Sequence, residues 1–155
     1  MSEWTEATLT YLIDGKDVLL IEKKRGHGAV NFNGPGGKLE DGETPKEAAR
    51  REFREETKVE VENLEKVAEL KFYFGGDPDQ HVHVFMTEEY SGNSEEAEEA
   101  RPEWFKVDEM PYEAMWPDDE VWMPKMFAGE KFEAVFRFTE DGSEIKDYEF
   151  SEPDF

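Results

Sequence analysis

The sequence predicts an α/β fold of the α+β type, in which a mixed β-sheet is sandwiched between helices and carries accessory hairpins. Apolar strand segments flank turn signals at both ends of the chain, and two helical segments lie between the strands. The 155 residues suffice for a hydrophobic core, so we expect one domain spanning residues 1–155.

The first predicted element is a β-hairpin. Residues 8–13 and 18–21 are apolar strand segments, and Asp14-Gly15 between them is a hairpin turn signal. Residues 23–42, which are rich in glycine and asparagine, are predicted to be a loop.

The loop leads into a predicted helix over residues 44–57. Thr44 suits the N-cap, Pro45 the first helical position, and Glu47 completes a capping box.

The second half of the chain alternates strands with turns and one further helix. Strands are predicted over residues 59–74, 80–86, 104–107, 131–139 and 144–150. Turns are predicted at residues 75–78, 110–119 and 141–142, a solvated acidic loop over residues 87–100, and a helix over residues 118–128.

The strong negative charge limits the classes of partner. There are 40 acidic residues against 18 basic ones, a net charge of −22, and no basic stripe that could neutralise a nucleic-acid duplex. Two interpretations of the charge stay open, an ordinary acidic protein or adaptation to a salty cytoplasm where screening is strong. A small anionic substrate remains compatible if a bound cation neutralises it.

Other composition signals favour a cytoplasmic address. The N-terminus lacks the basic start and apolar stretch of a signal peptide, and no apolar run is long enough to cross a membrane. The chain has no cysteine, which excludes disulfides and thiolate metal sites. His81 and His83 share one strand face, but with a single residue between them and no thiolate nearby they give weak support for zinc.

Three glutamates concentrate negative charge on one face of the first helix. Glu52, Glu55 and Glu56 lie at offsets 0, 3 and 4, where like charges destabilise a helix. The face is either an acidic surface or a site for Mg²⁺ or Mn²⁺, which prefer oxygen ligands and substrate phosphates.

A glycine-rich segment before the helix favours the cation site. Its residues are Asn33, Gly34, Pro35, Gly36, Gly37 and Lys38. Glycines let the backbone approach a ligand closely, and successive N–H groups can hold an anion.

The spacing between loop and helix resembles the Nudix box, Gly-x5-Glu-x7-Arg-Glu-U-x-Glu-Glu-x-Gly-U, where U is bulky and apolar. The matching residues are Gly37, Glu43, Arg51, Glu52, Phe53, Glu55, Glu56 and Val59. The second glycine is replaced by Lys58, which puts the local turn in doubt but removes no ligand. The chain is identified as a member of the Nudix superfamily on this motif.

From about residue 8 to residue 138 the chain resembles the oxidised-purine nucleoside triphosphatases, which hydrolyse 8-oxo-dGTP and 2-oxo-dATP. The most specific segment is Trp116-Pro117-Asp118-Asp119, which lies outside the Nudix box. The other matching segments are residues 18–20, 23–26, 33–34, 36–38, 82–85, 101–102 and 104–105.

The resemblance implies a set of site residues. Those expected to bind the substrate are Thr8, Lys23, Asn33, Pro35, Gly36, Gly37, Lys38, Phe72, Trp116, Pro117, Asp118 and Asp119. The implied metal ligands are the Gly36 carbonyl and the carboxylates of Glu52, Glu55, Glu56 and Glu99, with Glu98 as a competing neighbour of Glu99.

The residues expected to surround the purine base could each have a purely structural role instead. Trp116 could belong to the core, Phe72 could serve sheet packing, and Asn33 could be a turn residue. Asp118 and Asp119 could be turn residues or caps. If they read a purine edge, one must be protonated, and repulsion and desolvation would raise their pKa values.

Three departures leave the preferred oxidised base open. His27 and Pro35 each replace a phenylalanine of the mammalian relative, and the segment before His81 is one residue shorter.

The resemblance implies Mg²⁺-dependent hydrolysis of a nucleoside triphosphate to a monophosphate and pyrophosphate. Glu56 is the first candidate for the base, with Glu55 and Glu99 as rivals, and Arg51 is expected to orient the box by pairing with a carboxylate one turn away.

Two other functions stay open, a Nudix hydrolase for another diphosphate-linked substrate, such as ADP-ribose or an isoprenoid diphosphate, or a non-catalytic binding module. The expected partner is a small nucleotide, with no nucleic-acid duplex and no membrane, and a monomer or weak homodimer is expected.

Overall fold

The computed structural model describes residues 3–27, 30–98 and 100–155, with the side chains of residues 23–27 and 30–31 left aside. Its strands are β1 (Thr5–Asp14), β2 (Asp17–His27), β3 (Val30–Asn33), β4 (Gly36–Lys38), β5 (Glu60–Glu62), β6 (Glu65–Phe74), β7 (Asp77–Thr87), β8 (Glu89–Ser91), β9 (Ala100–Lys106), β10 (Phe132–Phe138) and β11 (Ile145–Ser151). Its α-helices are α1 (Pro45–Thr57) and α2 (Asp119–Phe127), and a 3₁₀ turn spans Tyr112–Ala114.

A nine-stranded mixed sheet forms the centre of the described structure. The strand order is β11-β10-β6-β7-β1-β2-β3, with β4 paired to β1 and β9 paired to β2. The β1–β7 and β6–β10 pairs are parallel, and the other pairs are antiparallel. β5 and β8 form a separate two-stranded sheet.

The two helices cover opposite faces of this sheet. Successive strand residues point to opposite faces, and on β1 Tyr11 packs in the hydrophobic cluster that contains Trp122 of α2. The next residue, Leu12, packs in a second cluster with Phe53 of α1. The predicted mixed sheet between helices is therefore confirmed.

The predicted N-terminal hairpin is confirmed, but the loop predicted over residues 23–42 is wrong in part. β2 continues to His27, and β3 and β4 occupy residues 30–33 and 36–38. Glycine and asparagine weaken the strand pattern in a sequence, but here backbone pairing with β1 and β2 overrides that preference.

Two further regions differ in detail from the prediction. The strand material predicted over residues 59–74 forms two strands, β5 and β6, with Asn63 at a positive φ of 53° between them. The acidic segment predicted as a loop contains β8, which pairs with β5 through Val61 and Tyr90. The turn after β6 is confined to Gly75 and Gly76, and β7 begins at Asp77.

The start of α1 is as predicted. Thr44 is the N-cap, its side chain accepts the Glu47 N–H, and the Glu47 side chain accepts the Thr44 N–H. At the other end Lys58 adopts the left-handed conformation, with φ 66° and ψ 15°, and its N–H donates to Arg54. Lys58 thus performs the turn that the motif assigns to glycine. Neither described helix is long and apolar enough to cross a membrane.

Candidate active site

The glycine strand β4 holds two carboxylates of α1 in place. The Gly36 N–H donates to Glu56 Oε1 at 2.8 Å. A Cβ on Gly37 would lie 2.6 Å from the Glu52 carboxyl carbon, so the carboxylate rests on the bare backbone. Glu55 projects further outward, with 56% of its side chain exposed. The structure therefore brings Gly36, Gly37, Glu52 and Glu56 together, with Glu55 at the edge of the group.

Gly36 is required by the pairing of β4 with β1. A Cβ at this position would lie 1.9 Å from the Thr8 carbonyl oxygen. Any larger residue would separate the two strands, and the carboxylates that rest on β4 would lose their support.

Arg51 links the helix to the segment that precedes it. Its guanidinium makes a bidentate pair with Glu43, with Nε–Oε2 and Nη2–Oε1 distances of 2.7 and 2.9 Å. It also donates to Glu52 Oε1 at 2.8 Å and to the Lys38 carbonyl at 3.2 Å. The predicted contact with Glu55 is longer, at 3.5 Å.

Glu43 is thus the main partner of Arg51, a role that the sequence interpretation did not assign. The Arg51 hydrogen bonds lower the pKa of Glu43 to about 2, and the pair stays charged at all physiological pH values. The box contained a signal for this pair, because Glu43 and Arg51 are its two charged residues outside the face that carries Glu52, Glu55 and Glu56.

The carboxylate group has the chemistry of a hard-cation site. It presents glutamate oxygens beside the backbone of Gly36, which are the ligand types that Mg²⁺ accepts. Burial raises the pKa of Glu52 although Arg51 opposes this, so a further positive charge near Glu52 would be stabilising. The residues present therefore fit a divalent cation.

A cleft of about 520 Å³ opens beside these carboxylates. The residues predicted to bind substrate that line it are Thr8, Asn33, Gly36, Gly37, Lys38, Phe72, Trp116, Asp118 and Asp119. Its other lining residues are Ala7, Leu9, Gly34, Phe74, Asp79, Gln80, Val82 and Phe138. A glycine strand that supports carboxylates therefore also forms one wall of an aromatic-lined cleft.

Asp118 and Asp119 are buried in the wall of the cleft, each 4% exposed. Asp118 Oδ2 accepts the Trp122 indole N–H at 2.9 Å, while the buried Oδ2 of Asp119 has no protein partner. Burial raises the pKa of Asp118 to about 6. Burial and the Asp118 charge raise the pKa of Asp119 well above its usual value. Because both pKa values are raised, the pair favours holding a proton, and with one carboxyl protonated it offers one donor and one acceptor.

Thr8 supplies a second buried polar atom at the cleft. It is 2% exposed, and its Oγ1 has no protein partner. Buried polar atoms without partners are rare in folded proteins, and Thr8 and Asp119 both line the cleft. Both atoms would be satisfied by a polar ligand.

The aromatic residues of the cleft divide between core and wall. Trp122 is fully buried and belongs to the core, whereas Trp116 is partly exposed and lines the cleft. Phe72 serves both roles, because it lines the cleft and stacks on Phe136 at 5.8 Å.

Several lining residues could not be identified from the sequence. Phe138 reaches the cleft because β10 runs parallel to β6, which places Phe138 opposite Phe74. Asp79 and Gln80 enter from the start of β7. No local pattern encodes pairings between strands so far apart in the chain.

Two of the remaining predicted residues do not line the cleft, and two others are not described. Pro35 and Pro117 are described but are not among the lining residues, and the Pro35 carbonyl accepts the Thr10 N–H at 2.8 Å. Glu99 and the side chain of Lys23 lie outside the described residues.

Comparisons with known proteins agree with this geometry. The NUDIX domain family matches residues 4–126. The chain is 40% identical over 148 residues to the oxidized purine nucleoside triphosphate hydrolase of Mus musculus, covering 95% of this chain and 94% of that protein. It is 42% identical over 132 residues to the protein of the same name from Danio rerio, covering 84% and 85%.

A solved structure shows the same fold. The crystal structure of a MutT protein from Bacillus halodurans superposes with a TM-score of 0.84 at 27% identity, covering 96% of this chain and 99% of that one. The predicted family and fold are both confirmed, and the chain belongs to the Nudix family.

Proposed function

We propose that this chain hydrolyses oxidised purine nucleoside triphosphates to a monophosphate and pyrophosphate. The observation that carries the proposal is the buried Asp118–Asp119 pair in a cleft whose wall includes Gly36 and Gly37, the residues against which Glu56 and Glu52 of α1 rest. The names of the mouse and zebrafish relatives support the same substrate class.

At one end of the site, the proposed binding groups for the purine base recognise its hydrogen-bond donors and acceptors. Protonated Asp119 donates to a purine acceptor, and ionised Asp118, which is held by Trp122, accepts from a purine N–H. Oxidation changes the donor and acceptor groups along a purine edge, so a paired donor and acceptor can select the oxidised form. Trp116 and Phe72 bound the base on its apolar faces.

The phosphate end uses α1 and β4. The Gly36 carbonyl and the carboxylates of Glu52, Glu55 and Glu56 would hold Mg²⁺, or Mn²⁺ in its place, with Glu99 as a further proposed ligand. When bound, the cation supplies neutralisation of the phosphate charge and acidifies water for the hydrolysis.

The residues of the chain orient and deprotonate the attacking water. Glu56 is the proposed base, and the Gly36 N–H fixes one of its oxygens at 2.8 Å. Arg51 holds Glu52 and Glu43 in fixed positions through its hydrogen bonds. It thereby positions the α1 face that carries Glu52, Glu55 and Glu56, and is proposed to do so without contacting the substrate. Lys23 is proposed to contact the phosphates.

Pyrophosphate release from a nucleotide panel tests the proposal. We expect hydrolysis of 8-oxo-dGTP and 2-oxo-dATP with Mg²⁺, none with EDTA, and kcat/KM values well above those for dGTP and dATP. Equal kcat/KM values for dGTP and 8-oxo-dGTP would contradict the proposed preference for oxidised purines. Faster cleavage of ADP-ribose or an isoprenoid diphosphate would assign the chain to another Nudix substrate. Full activity of the Glu56→Gln variant would show that Glu56 is not the base.

Three further properties belong to this proposal. We propose that residues 1–155 act as one domain, as a monomer or weak homodimer, in the cytoplasm where nucleotide pools are found. Sedimentation at several protein concentrations measures the oligomeric state directly.

A further inference from the structure

A second group of potential metal ligands lies on the central strands, and it shares no residue with the carboxylates of α1 or with the cleft. We call Glu6, His81 and His83 the histidine cluster, and one ligand atom from each lies within 4.8 Å of the others. Glu6 is on β1, and both histidines are on β7. The parallel register sets Glu6 opposite His81, so the three side chains share one face of the sheet.

Glu6 bridges the two imidazoles with its two oxygens. Oε1 is 2.8 Å from His83 Nε2, and Oε2 is 3.1 Å from His81 Nδ1. Neighbouring ligand atoms around a tetrahedral zinc ion are ~3.3 Å apart, which follows from metal–ligand distances of ~2.0–2.1 Å. The three ligand atoms lie within 4.8 Å of one another, so they would have to draw together by up to ~1.5 Å around an ion.

The hydrogen bonds of His81 leave a place for a cation. Both ring nitrogens face carboxylates, because Nε2 is 2.7 Å from Glu69 Oε1 while Nδ1 faces Glu6. A neutral imidazole has only one N–H, so it can donate to only one of the two carboxylates. The lone pair of the other ring nitrogen then faces a carboxylate oxygen, which is unfavourable unless a cation or a second proton lies between the two atoms. When Nε2 donates to Glu69, Nδ1 is left as a ligand atom.

Glu69 provides the outer contact that is typical of metal-bound histidines. Such ligands usually donate their other ring N–H to a carboxylate, which fixes the tautomer and the ring orientation. Glu69 is itself held by Lys66, whose Nζ is 2.5 Å from Oε2. The charges of Glu6, Glu69 and Lys66 sum to −1 when both histidines are neutral, and this balance attracts a cation.

The histidine cluster has a buried side and an open side. His83 is 6% exposed. Glu6 is more open, with 38% of its side chain exposed. Solvent therefore reaches the Glu6 side of the histidine cluster and can supply a further ligand.

We propose that Glu6, His81 Nδ1 and His83 Nε2 bind a divalent ion of the zinc class, with Glu69 orienting His81. Two imidazoles and one carboxylate suit Zn²⁺ or Co²⁺ better than Mg²⁺, which prefers oxygen ligands alone. The ion joins β1 to β7 at their parallel pairing, so its role is structural. The site exists whether or not the proposed hydrolase function is correct.

Metal titration of untagged, chelator-treated protein tests this site. Millimolar Mg²⁺ is kept present to occupy the carboxylates of α1, and Zn²⁺ and Co²⁺ are added while binding is followed by calorimetry and cobalt absorption. We expect one ion per chain, a higher melting temperature with Zn²⁺, and X-ray absorption showing two imidazole ligands. No stoichiometric binding by the wild-type protein would overturn the proposal.

Variants separate this site from others in the chain. His81→Gln and His83→Gln are expected to abolish stoichiometric binding, and Glu69→Gln, which keeps all three ligands, to weaken it ~10–100-fold. His27→Gln changes the third histidine of the chain and serves as the matched control, which should bind normally. Binding retained by the double variant His81→Gln/His83→Gln, or lost in His27→Gln, contradicts the assignment.

Two measurements keep the result independent of folding and of catalysis. Circular dichroism of each metal-free variant shows whether it is folded, and Glu69→Gln is informative even if the histidine variants unfold. Glu56→Gln should retain Zn²⁺ binding, and His81→Gln should retain Mg²⁺-dependent hydrolysis. If Glu56→Gln alone removes the ion, the metal belongs to α1 and the histidine cluster is only a hydrogen-bonded group.

Discussion

Asp119 combines a cost in stability with a proposed role in recognition. Its carboxyl group is buried next to Asp118, and its pKa is raised in the folded protein. A folded-state pKa above the unfolded value stabilises the protein at low pH, and this contribution is lost as the pH rises through the folded pKa. At neutral and alkaline pH the carboxyl group is therefore destabilising, and the proposed role in substrate recognition gives a reason for the chain to carry it there.

Replacing Asp119 with asparagine should separate these two effects. We expect the free energy of unfolding of Asp119→Asn at pH 7.5 to rise by on the order of 1–3 kcal/mol, because the amide that replaces the Asp119 carboxyl needs no proton when it is buried. We expect kcat/KM for 8-oxo-dGTP to fall about tenfold, and the decline of wild-type activity at alkaline pH to disappear. Urea denaturation and pH–rate profiles measure both changes.

Asp141→Asn is the matched control for this prediction. Asp141 is exposed, and hydrogen bonds from Ser143 and Thr139 lower its pKa to about 2. Its replacement should lower stability at pH 7.5 and leave the pH–rate profile unchanged. A wild-type profile in Asp119→Asn would show that the Asp119 proton has no part in recognition.

Lys58 stores backbone strain at the end of α1. A non-glycine residue at φ 66° is less stable there than glycine. We expect Lys58→Gly to stabilise the protein by about 0.5–1 kcal/mol with unchanged kcat, as measured by urea denaturation. Lys58→Ala removes the same side chain but keeps the strain, so an equal gain in both variants would show that the side chain is responsible.

At the scale of elements, the Arg51–Glu43 pair joins α1 to β4. Arg51 contacts Glu43, the Lys38 carbonyl and Glu52, so one side chain spans the loop, the strand and the ligand face. Glu43 has a lowered pKa of about 2, so the stability it contributes is present above its unfolded value and is lost as the pH falls towards 2. Neutral and mildly acidic solutions leave the pair intact.

Neutralising Glu43 should impair turnover more than binding. We expect Glu43→Gln to lower kcat about tenfold with little change in KM, because Arg51 then orients Glu52 less well and the base pocket is untouched. Steady-state kinetics on 8-oxo-dGTP measures the effect. Glu47→Gln is the control, since glutamine can maintain the capping box, and a similar loss in that variant would point to the helix as a whole.

Elements with strong local signals could be predicted, and those that depend on distant pairing could not. The first hairpin and α1 have turn and capping residues at fixed spacing, and both are confirmed. β3, β4 and β8 are short and rich in glycine, asparagine or acidic residues, and only their pairing partners make them strands. Local preference is weak evidence wherever partners lie far apart in sequence.

The same division applies to the site. The carboxylates of α1 could be predicted from the Nudix box because their spacing is local. Trp116, Asp118 and Asp119 were predicted from the family resemblance. Phe138 and the histidine cluster were inaccessible from spacing, since Glu6 meets His81 and His83 only through a parallel pairing. The sequence alone showed two histidines, whereas the fold adds the carboxylates that make them a possible metal site.

At the scale of the whole molecule, the net charge of −22 works against compactness. The excess of carboxylates over basic groups means that most acidic side chains cannot be paired. Salt weakens this repulsion, with a Debye length of ~3 Å at 1 M.

Stability should therefore increase with salt. We expect the melting temperature to rise steadily between 0.1 and about 2 M KCl, as followed by circular dichroism. A variant with the exposed residues Glu88, Glu103 and Glu113 changed to glutamine should show a shallower rise and a higher melting temperature at low salt. A flat response in the wild type would contradict adaptation to high salt.

The parallel pairings of the sheet also constrain the order in which the chain matures on the ribosome. β1 emerges early but pairs with β7, and β6 gains its second neighbour only with β10, whose Phe138 completes the cleft. Such long-range pairings form slowly and leave apolar edges open meanwhile. Nascent chains shorter than about 138 residues consequently lack a finished binding site, and the dense acidic charge of the incomplete polypeptide protects it from aggregation during that interval.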